Sequence, residues 1–260
     1  MINSLWIAKT GMSAQQTQLD VISHNLANVS TTGYKRNNAV FEDLIYQNLR
    51  QVGANATEQN QLPTGLHLGL GVRTVATSRN FVQGSLQESK NSLDVAINGN
   101  GFFEVTMPDG TIGYTRDGSF QLDAQGRMVT SNGMPVNNGI TVPNGATKVM
   151  IGPDGAVTAI VPPATAPQPL GNLAMATFVN PAGLEPIGQN LFRESAASGQ
   201  PQQGTPGTNG LGFIKQGFLE TSNVNVVEEL VTMIQAQRAY EMNSKAIQTS
   251  DQMLAKLSQL

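Results

Sequence analysis

The stretch "LDVAINGNGFFEVTMPDGTIGYTRDGSFQLDAQGRMVTSNGMPVNN", Leu93–Asn138, alternates short apolar or β-branched runs with Asn-Gly, Asp-Gly and Gln-Gly turns. Turns at about ten-residue intervals between such runs are typical of antiparallel hairpins. The pattern continues through 140–161, 170–179 and 180–195, whereas 198–210 is so rich in turn residues that it predicts a loop. The centre of the chain is therefore predicted to be a mostly antiparallel, all-β domain.

Residues that break helices are concentrated in the middle of the chain and are rare or absent at its two ends. All thirteen prolines lie between Pro63 and Pro206, the first thirty residues contain only Gly11, and both Gly and Pro are absent after Gly217. This distribution predicts a helix at each end of the chain, with the β domain inserted between them. The run 41–49 is predicted to be helical, and the alternation in 62–72 predicts an extended strand.

Both ends carry apolar residues spaced alternately three and four apart, which is the heptad pattern of a coiled coil. The amino-terminal set is Leu5, Ala8, Met12, Gln15, Leu19, Ile22, Leu26 and Val29, and the carboxy-terminal set is Met233, Ala236, Tyr240, Asn243, Ile247, Ser250, Leu254 and Leu257, with Leu230 and Ile234 at its head. We therefore predict an α+β fold in which long terminal helices form a coiled-coil domain, joined by extended connecting segments to the β domain. The alternative is that each helix packs on a globular core.

The predicted division has three parts. Residues 1–35 and 220–260 form the terminal helical coiled-coil domain, residues 36–75 and 205–219 form an extended connecting region, and residues 76–204 form the β-rich domain.

Composition argues against catalysis and nucleic-acid binding. Charged residues make up 13% of the 260 residues and the net charge is −3, so the chain lacks the excess of positive charge that is typical of nucleic-acid-binding proteins. The chain has no cysteine, and neither His24 nor His67 lies in a metal-ligand spacing. The glycines of "INGNGFF" and "GLGVR" lack the context of a dinucleotide site. We predict no catalytic, cofactor or metal site, no signal peptide and no membrane span.

The segment "NLANVSTTGYKR", Asn25–Arg36, ends the predicted amino-terminal helix. Short polar side chains there compete for backbone groups, and Gly33 can adopt the positive φ of a helix end. From the residues alone, the segment ends the helix, and the chain then leaves it through an aromatic residue and two cations, Tyr34 to Arg36, which we call the basic exit.

At these residues the sequence resembles the bacterial flagellar rod and hook family. The amino-terminal signature of that family is matched by Asn25, Leu26, Ala27, Asn28, Thr31, Gly33, Tyr34 and Lys35. The carboxy-terminal signature is matched within Ser222–Leu254 by Ser222, Asn223, Val224, Gln237, Arg238, Ala239, Tyr240, Glu241, Asn243 and Lys245. The segments "VAINGNGFFEV" and "YTRDGSF" are similar to the β-domain segments that the family shares.

The resemblance implies a structural subunit of the distal rod, because the chain is short for a hook protein and Tyr46–Arg73 looks like the insert of that subunit. It implies a straight, tubular homopolymer that transmits torque, with paired terminal helices as inner wall and the β domain as outer wall. The implied partners are further copies of the chain, proximal rod proteins, the hook protein, P-ring and L-ring proteins, the rod cap and the flagellar type III export apparatus. The implied location is the periplasm-spanning rod of the basal body, reached without a cleaved signal peptide.

The predicted assembly interface is the apolar face of the two terminal helices: Leu5, Met12, Leu19, Ile22, Leu26, Leu230, Ile234, Tyr240, Ile247, Leu254 and Leu257. Two alternatives stay open at this point. One is a hook or proximal rod subunit of the same family, and the other is a secreted cell-wall enzyme.

Overall fold

The computed structural model describes residues 2–52, 64–162 and 166–257. One α-helix lies at each end of the chain, α1 at Ile2–Ala27 and α2 at Val226–Leu257, and a short 3-10 helix covers Pro181–Gly183. Between the α-helices run the strands β1 Asn37–Asp43, β2 Tyr46–Arg50, β3 Leu66–Gly69, β4 Val72–Arg79, β5 Leu86–Glu88, β6 Val95–Asn98, β7 Phe102–Thr106, β8 Ile112–Thr115, β9 Phe120–Leu122, β10 Met128–Thr130, β11 Lys148–Ile151, β12 Ala156–Ile160, β13 Gln168–Asn172, β14 Met175–Thr177, β15 Glu185–Gly188, β16 Leu191–Arg193, β17 Gln202–Gly204, β18 Phe213–Gln216 and β19 Phe218–Glu220.

The chain divides into two compact units. The helical unit comprises Met1–Leu26, Asn37–Ser78 and Asn225–Leu260, and the β unit comprises Ala27–Arg36 and Arg79–Val224. The chain therefore passes from one unit to the other after residues 26, 36, 78 and 224.

The β unit is built on a six-stranded sheet in the order β15-β16-β8-β7-β14-β17, beside the three-stranded sheet β11-β12-β13. Its strand pairs β6–β18, β5–β19 and β9–β10 are antiparallel. The hairpin β7–β8 turns at Asp109-Gly110, where Gly110 has a φ of 82° and the Asp109 carboxylate accepts a hydrogen bond from the main-chain N–H of Thr111. Such local bonds are what Asp contributes to a turn.

Two apolar clusters hold the β unit together. The larger one centres on fully buried side chains of several sheets, among them Val95, Phe103, Phe120, Val157 and Met175. The second is aromatic and includes Phe102, Tyr114, Phe178 and Phe192, whose rings meet edge to face. On β7, four successive residues from Phe102 to Val105 are buried, so both faces of this strand are covered.

In the helical unit, β1 pairs with β4, and β2 pairs with β3 in an antiparallel ladder. The helices α1 and α2 contact each other through small and polar groups. A Cβ atom added at Gly11 would lie 2.9 Å from Nδ2 of Asn243, and the side chain of Asn25 is bonded to that of Glu229. Within the described part of the chain, neither helix is long and apolar enough to cross a membrane.

The prediction of a coiled-coil domain is wrong, although the chain as a whole combines helix and sheet as an α+β protein does. A coiled coil requires large apolar side chains that insert between those of the partner helix. Among the described helical residues, the buried apolar side chains are instead Ala8, Ala14, Ile22 and Ala236. Leu230, Ile234 and Tyr240, which the heptad pattern places at the contact, are exposed. The heptad spacing is present in the sequence, but its small and polar members leave no continuous apolar contact.

Two local predictions are also wrong. The run 41–49, predicted to be helical, forms the end of β1 and most of β2, where its aromatic residues Phe41 and Tyr46 lie in strands that pair with β4 and β3. The segment 198–210, predicted to be a loop, contains the edge strand β17, which pairs with β14. In both places, pairing with a strand distant in sequence overrides the local pattern.

Candidate assembly site

The amino-terminal signature begins at Asn25, a buried residue near the end of α1. Its side-chain Nδ2 donates a hydrogen bond to the main-chain carbonyl of Asn37 at 2.8 Å, and its Oδ1 accepts one from the main-chain N–H of Asn37 at 2.9 Å. This pair of bonds resembles those between two strands. The same Nδ2 donates to Oε2 of Glu229 on α2 at 3.4 Å. Asn25 therefore positions both the start of β1 and the first turn of α2.

The signature continues through a turn that belongs to the β unit. The hydroxyl of Thr31 donates to Oδ1 of Asn28 at 3.2 Å, and the main-chain N–H of Thr31 donates to the Asn28 carbonyl. Gly33 follows with a φ of 68°, and a Cβ atom at this position would lie 2.7 Å from the backbone of Arg116 and Asp117. Glycine fits here because of both its permitted φ and its lack of a side chain.

Lys35, which follows the end of α1 as part of the predicted basic exit, is buried. Its Nζ donates to Oε1 of Glu220 at 2.6 Å and to the main-chain carbonyl of Val82 at 2.9 Å. Tyr34 is buried beside it. The ion pair joins residues 185 positions apart in the sequence.

Glu220 is shared by two cations. Its Oε2 accepts a hydrogen bond from Nη1 of Arg116 at 3.3 Å, and its Oε1 also accepts the main-chain N–H of Gly84 at 2.8 Å. Nη2 of Arg116 donates to the carbonyl of Gly99, and its guanidinium lies 5.5 Å from the centre of the Phe102 ring. Side chains of Lys35, Arg116 and Glu220 are at most 3% exposed.

This cluster contains two buried positive charges and one negative charge. Burial lowers the pKa of Lys35 below its ordinary value, and the neighbouring Glu220 opposes this effect. Burial likewise lowers the pKa of Arg116. Charge-assisted bonds to Glu220 and a cation–π contact offset part of the cost of removing the cations from water. Glu220 is therefore the group on which the cluster depends.

Asn223, in the carboxy-terminal signature, ties three segments of the β unit together. Its Oδ1 accepts the main-chain N–H of Arg36 at 2.7 Å, and its Nδ2 donates to the carbonyls of Asn80 at 2.9 Å and Val82 at 3.0 Å. Arg36 and Asn80 are also joined directly through their main chains. The side chain thus completes backbone bonding where no regular sheet is present.

The carboxy-terminal signature residues from Gln237 to Lys245 lie on α2. Gln237, Arg238, Tyr240 and Glu241 are exposed, and Ala239 and Asn243 are half-buried. Residues of both signatures meet in the β unit, where Lys35 and Asn223 each donate a hydrogen bond to the carbonyl of Val82. Gly33, Tyr34 and Lys35 belong to the β unit, whereas the α2 residues belong to the helical unit.

The predicted interface residues differ in their exposure. Ile22 is buried, and the half-buried ones are Leu5, Met12, Leu19, Leu26, Ile247 and Leu254. Leu230 is 42% exposed, Ile234 52% and Tyr240 41%. The side chain of Leu257 lies outside the described residues. Further exposed apolar side chains of the helices are Trp6, Ile7, Val227, Val231, Met242 and Met253. The helical unit therefore presents an extensive apolar surface, of the kind that marks interaction sites.

Sequence reasoning missed the partners of the signature residues. Arg116 lies within the segment "YTRDGSF" and Glu220 stands two residues before the carboxy-terminal signature, but neither position shows that the two meet Lys35. The sequence does show that Arg116 and Glu220 are charged residues inside or next to motifs made mostly of uncharged residues, which is the one feature that could have marked them as buried partners. Within the described ranges, the structure shows no group of three or more His, Cys, Asp or Glu side chains that could hold a metal ion.

Three stretches match flagellar family descriptions. Residues 5–35 match "Flagella basal body rod protein", residues 96–159 match "Flagellar hook protein FlgE/F/G D1 domain", and residues 215–260 match "Flagellar basal body rod FlgEFG protein C-terminal". The first and last of these matches contain the two signatures described above.

Several relatives that are similar over nearly the whole chain are named "Flagellar basal-body rod protein FlgG". The protein of that name from Buchnera aphidicola subsp. Acyrthosiphon pisum is 57% identical over 260 residues, covering 100% of both chains. The one from Borreliella burgdorferi is 48% identical, covering 98% of this chain and 97% of its own. The one from Bacillus subtilis is 40% identical, covering 100% of this chain and 99% of its own.

These matches confirm the resemblance that the two signatures and the shared β-domain segments predicted. The relatives are rod proteins, so the alternative of a secreted cell-wall enzyme is wrong. On this sequence evidence, together with the arrangement of its signature residues, the chain belongs to the flagellar basal-body rod protein family.

Proposed function

We propose that this chain polymerises with copies of itself into a straight, rigid, tubular shaft that transmits torque from the motor to the hook. Membership of the family, with relatives named FlgG at 40–57% identity over the full chain, makes it a structural subunit of the distal rod in the flagellar basal body. Assembly into a rod with other flagellar components follows from the same membership. The manner of polymerisation and the individual partners are our proposals.

The observation that supports polymerisation most strongly is the exposure of Leu230, Ile234 and Tyr240 on α2. Burying one Leu or Ile side chain contributes about 1.5–3 kcal/mol, so several such residues on each subunit favour association. In the proposed polymer, the contacts are made by residues 1–35 and 220–260, including the predicted interface residues from Leu5 to Leu257. Residues 36–75 and 205–219 connect these contacts to the β-rich part, 76–204.

The proposed partners are proximal rod proteins at one end of the shaft, the hook protein at the other, and P-ring and L-ring proteins around it. We also propose a rod cap during assembly and delivery by the flagellar type III export apparatus, without a cleaved signal peptide. The low fraction of charged residues, 13%, favours protein partners of this kind over nucleic acid.

Rigidity is the second part of the proposal and concerns Tyr46–Arg73. The described parts of this segment form the β2–β3 ladder and the start of β4, and they expose Tyr46, Leu49, Leu66 and Leu68. Positions 53–63 lie outside the described residues. An extended segment with exposed apolar side chains can pack on a neighbouring subunit, where it would restrict sliding and keep the shaft straight.

Charge introduced into the proposed interface tests polymerisation. Leu19→Asp or Ile247→Asp places a carboxylate where a dry contact is proposed, and a buried unpaired charge is costly. Both variants should keep the circular dichroism of the β unit but form no polymer when purified protein is viewed by electron microscopy. Thr249→Asp, on an exposed position of α2, is the matched control and should polymerise. Normal polymers from the first two variants would contradict the proposed interface.

Deletion of 51–68 tests rigidity. The shortened subunits should fold and polymerise, but their polymers should be curved or unstable because the contact between neighbouring subunits is lost. Straight polymers of unchanged stiffness would leave this segment as a connection without a role in rigidity.

A further inference from the structure

Four segments of the β unit are joined without forming a regular sheet. Segment 33–36, segment 80–84, Arg116 and segment 220–223 are connected by the side chains of Lys35, Arg116, Glu220 and Asn223, which we name the lock. Lys35 and Asn223 both donate to the carbonyl of Val82, and Glu220 accepts hydrogen bonds from Lys35, Arg116 and the main chain of Gly84. Main-chain bonds from Gly33 to Glu220 and from Asn80 to Arg36 complete the set.

The lock lies where the chain enters and leaves the β unit. Of the chain crossings, those after residues 36, 78 and 224 adjoin lock segments directly, and the crossing after residue 26 leads into segment 33–36 through one turn. Any force that reaches the β unit along its own chain therefore arrives at segments 33–36, 80–84 or 220–223. Within the β unit, only residues 27–32, 79 and 224 lie between a chain crossing and the nearest lock segment.

The direction of pairing determines how the lock responds to such a force. Gly33 bonds to Glu220 and Arg36 bonds to Asn223, so the pairing advances in the same direction along both segments. Tension that enters segment 33–36 from its amino-terminal side and segment 220–223 from its carboxy-terminal side pulls the two segments past each other. In this geometry the bonds bear the force together, whereas in a hairpin pulled at its open end they break one after another.

We propose that the lock is a shear-resistant linkage that keeps the β unit folded when its chain ends are pulled apart. Its significance for the flagellum rests on the proposed function, because a torque-transmitting subunit is loaded mechanically. The lock combines two charge-assisted bonds to Glu220 with a side-chain amide that bridges three segments. Water is excluded from its ion pair, since Lys35 and Glu220 are each 1% exposed. Dry, charge-assisted bonds are stronger than the same bonds in water.

Pulling single molecules tests the proposal. The chain contains no cysteine, so Ser23→Cys and Val227→Cys introduce two unique attachment points on exposed positions, one before segment 33–36 and one after segment 220–223. The full chain carrying both handles is unfolded in an optical trap at constant force. Lys35→Met then removes one member of the lock while leaving Glu220 paired with Arg116. We expect the unfolding rate to rise at least about tenfold, the factor for losing one charge-assisted hydrogen bond.

Lys148→Met is the matched control, because it makes the same substitution at an exposed position of the β unit. This control should unfold at the wild-type rate under force. Asn223→Ala removes three hydrogen bonds without leaving a buried charge and should act like Lys35→Met, so the test does not depend on the folding of a single variant. Unchanged unfolding rates for both lock variants, or an equal increase in Lys148→Met, would overturn the proposal.

A second measurement separates mechanical resistance from ordinary stability. Unfolding rates of the same variants in denaturant should rise by a smaller factor than under force, because denaturant imposes no direction of pulling. An equal factor in both measurements would overturn the shear-resistant role. Polymer formation by the wild type is assayed separately: its failure would contradict the proposed function, whereas only the pulling experiments decide on the lock.

Discussion

Replacing Glu220 by Gln should destabilise the β unit strongly. Glu220 accepts hydrogen bonds from Lys35 at 2.6 Å, Gly84 at 2.8 Å and Arg116 at 3.3 Å, and it carries the negative charge of a cluster that also holds two buried cations. The amide keeps the size of the side chain but removes the charge and replaces one acceptor by a donor. Removing one partner of a buried ion pair costs about 3–5 kcal/mol, because the other charge stays buried without compensation.

The measurement is equilibrium unfolding of the monomeric full-length chain in urea, followed by near-ultraviolet circular dichroism of the β unit. A loss of about 3–5 kcal/mol is a large share of the roughly 5–15 kcal/mol that stabilises most domains. Glu185→Gln is the matched control, because Glu185 forms a 2.8 Å ion pair with Arg193 in which both side chains are about half exposed. An exposed pair contributes about 0–1 kcal/mol. Equal losses of unfolding free energy in the two variants would refute the argument that burial makes the charge of Glu220 important for stability.

Three further predictions follow from the same residues. Gly33→Ala should lower the free energy of unfolding in urea by about 2–4 kcal/mol, because the added Cβ clashes with backbone and a non-glycine residue is strained at positive φ. Gly110→Ala is the control: it has a φ of 82° but no atom within 4 Å of the added Cβ, so it should lose only the stability that the strain at positive φ costs. The difference in free energy of unfolding between the wild type and Lys35→Met should rise with pH, from the lowered pKa of Lys35 in the folded chain up to its ordinary value of 10.5. In this range the unfolded chain binds a proton at Lys35 that the folded chain has lost, so raising the pH favours the folded state. A difference that stays constant with pH, measured by urea unfolding of both proteins, would contradict this. In the monomer, amide hydrogen exchange should be slow in β6, β7 and β8 and faster in α1 and α2, few of whose described side chains are buried. Equally slow exchange in both helices would show that they are stable without contacts to neighbouring subunits.

The positions of the helices and the β-rich middle could be predicted from the sequence because these features depend on local patterns. The absence of Pro and Gly after Gly217 permits α2, and turn residues such as Asp109 and Gly110 define the hairpin β7–β8. Packing between the helices could not be predicted in this way. Heptad spacing specifies which residues share a face, but Ala8, Gln15 and Asn243 on that face are too small or too polar to form a coiled coil.

The lock shows why the candidate site was only half visible in the sequence. From the sequence, Lys35 and Arg36 form only a basic exit after the end of α1, and lysine side chains are rarely buried unless they are paired. Burial of Lys35 depends on Glu220, 185 residues later, and on the carbonyl of Val82. The order of the six-stranded sheet, in which β7 lies between β8 and β14, likewise depends on contacts that no local pattern encodes. Long-range partners of this kind emerge only when the chain is folded.

The central claim is that the exposed apolar faces of the helical unit assemble the chain into a straight tubular polymer. Electron microscopy of the purified, negatively stained protein over a range of concentrations tests it most directly. We predict straight tubes of constant diameter above a critical concentration, since the proposed association would bury Leu230, Ile234 and Tyr240, which are exposed in the single chain. Monomers at every concentration, or polymers that are flexible and curved, would contradict the account.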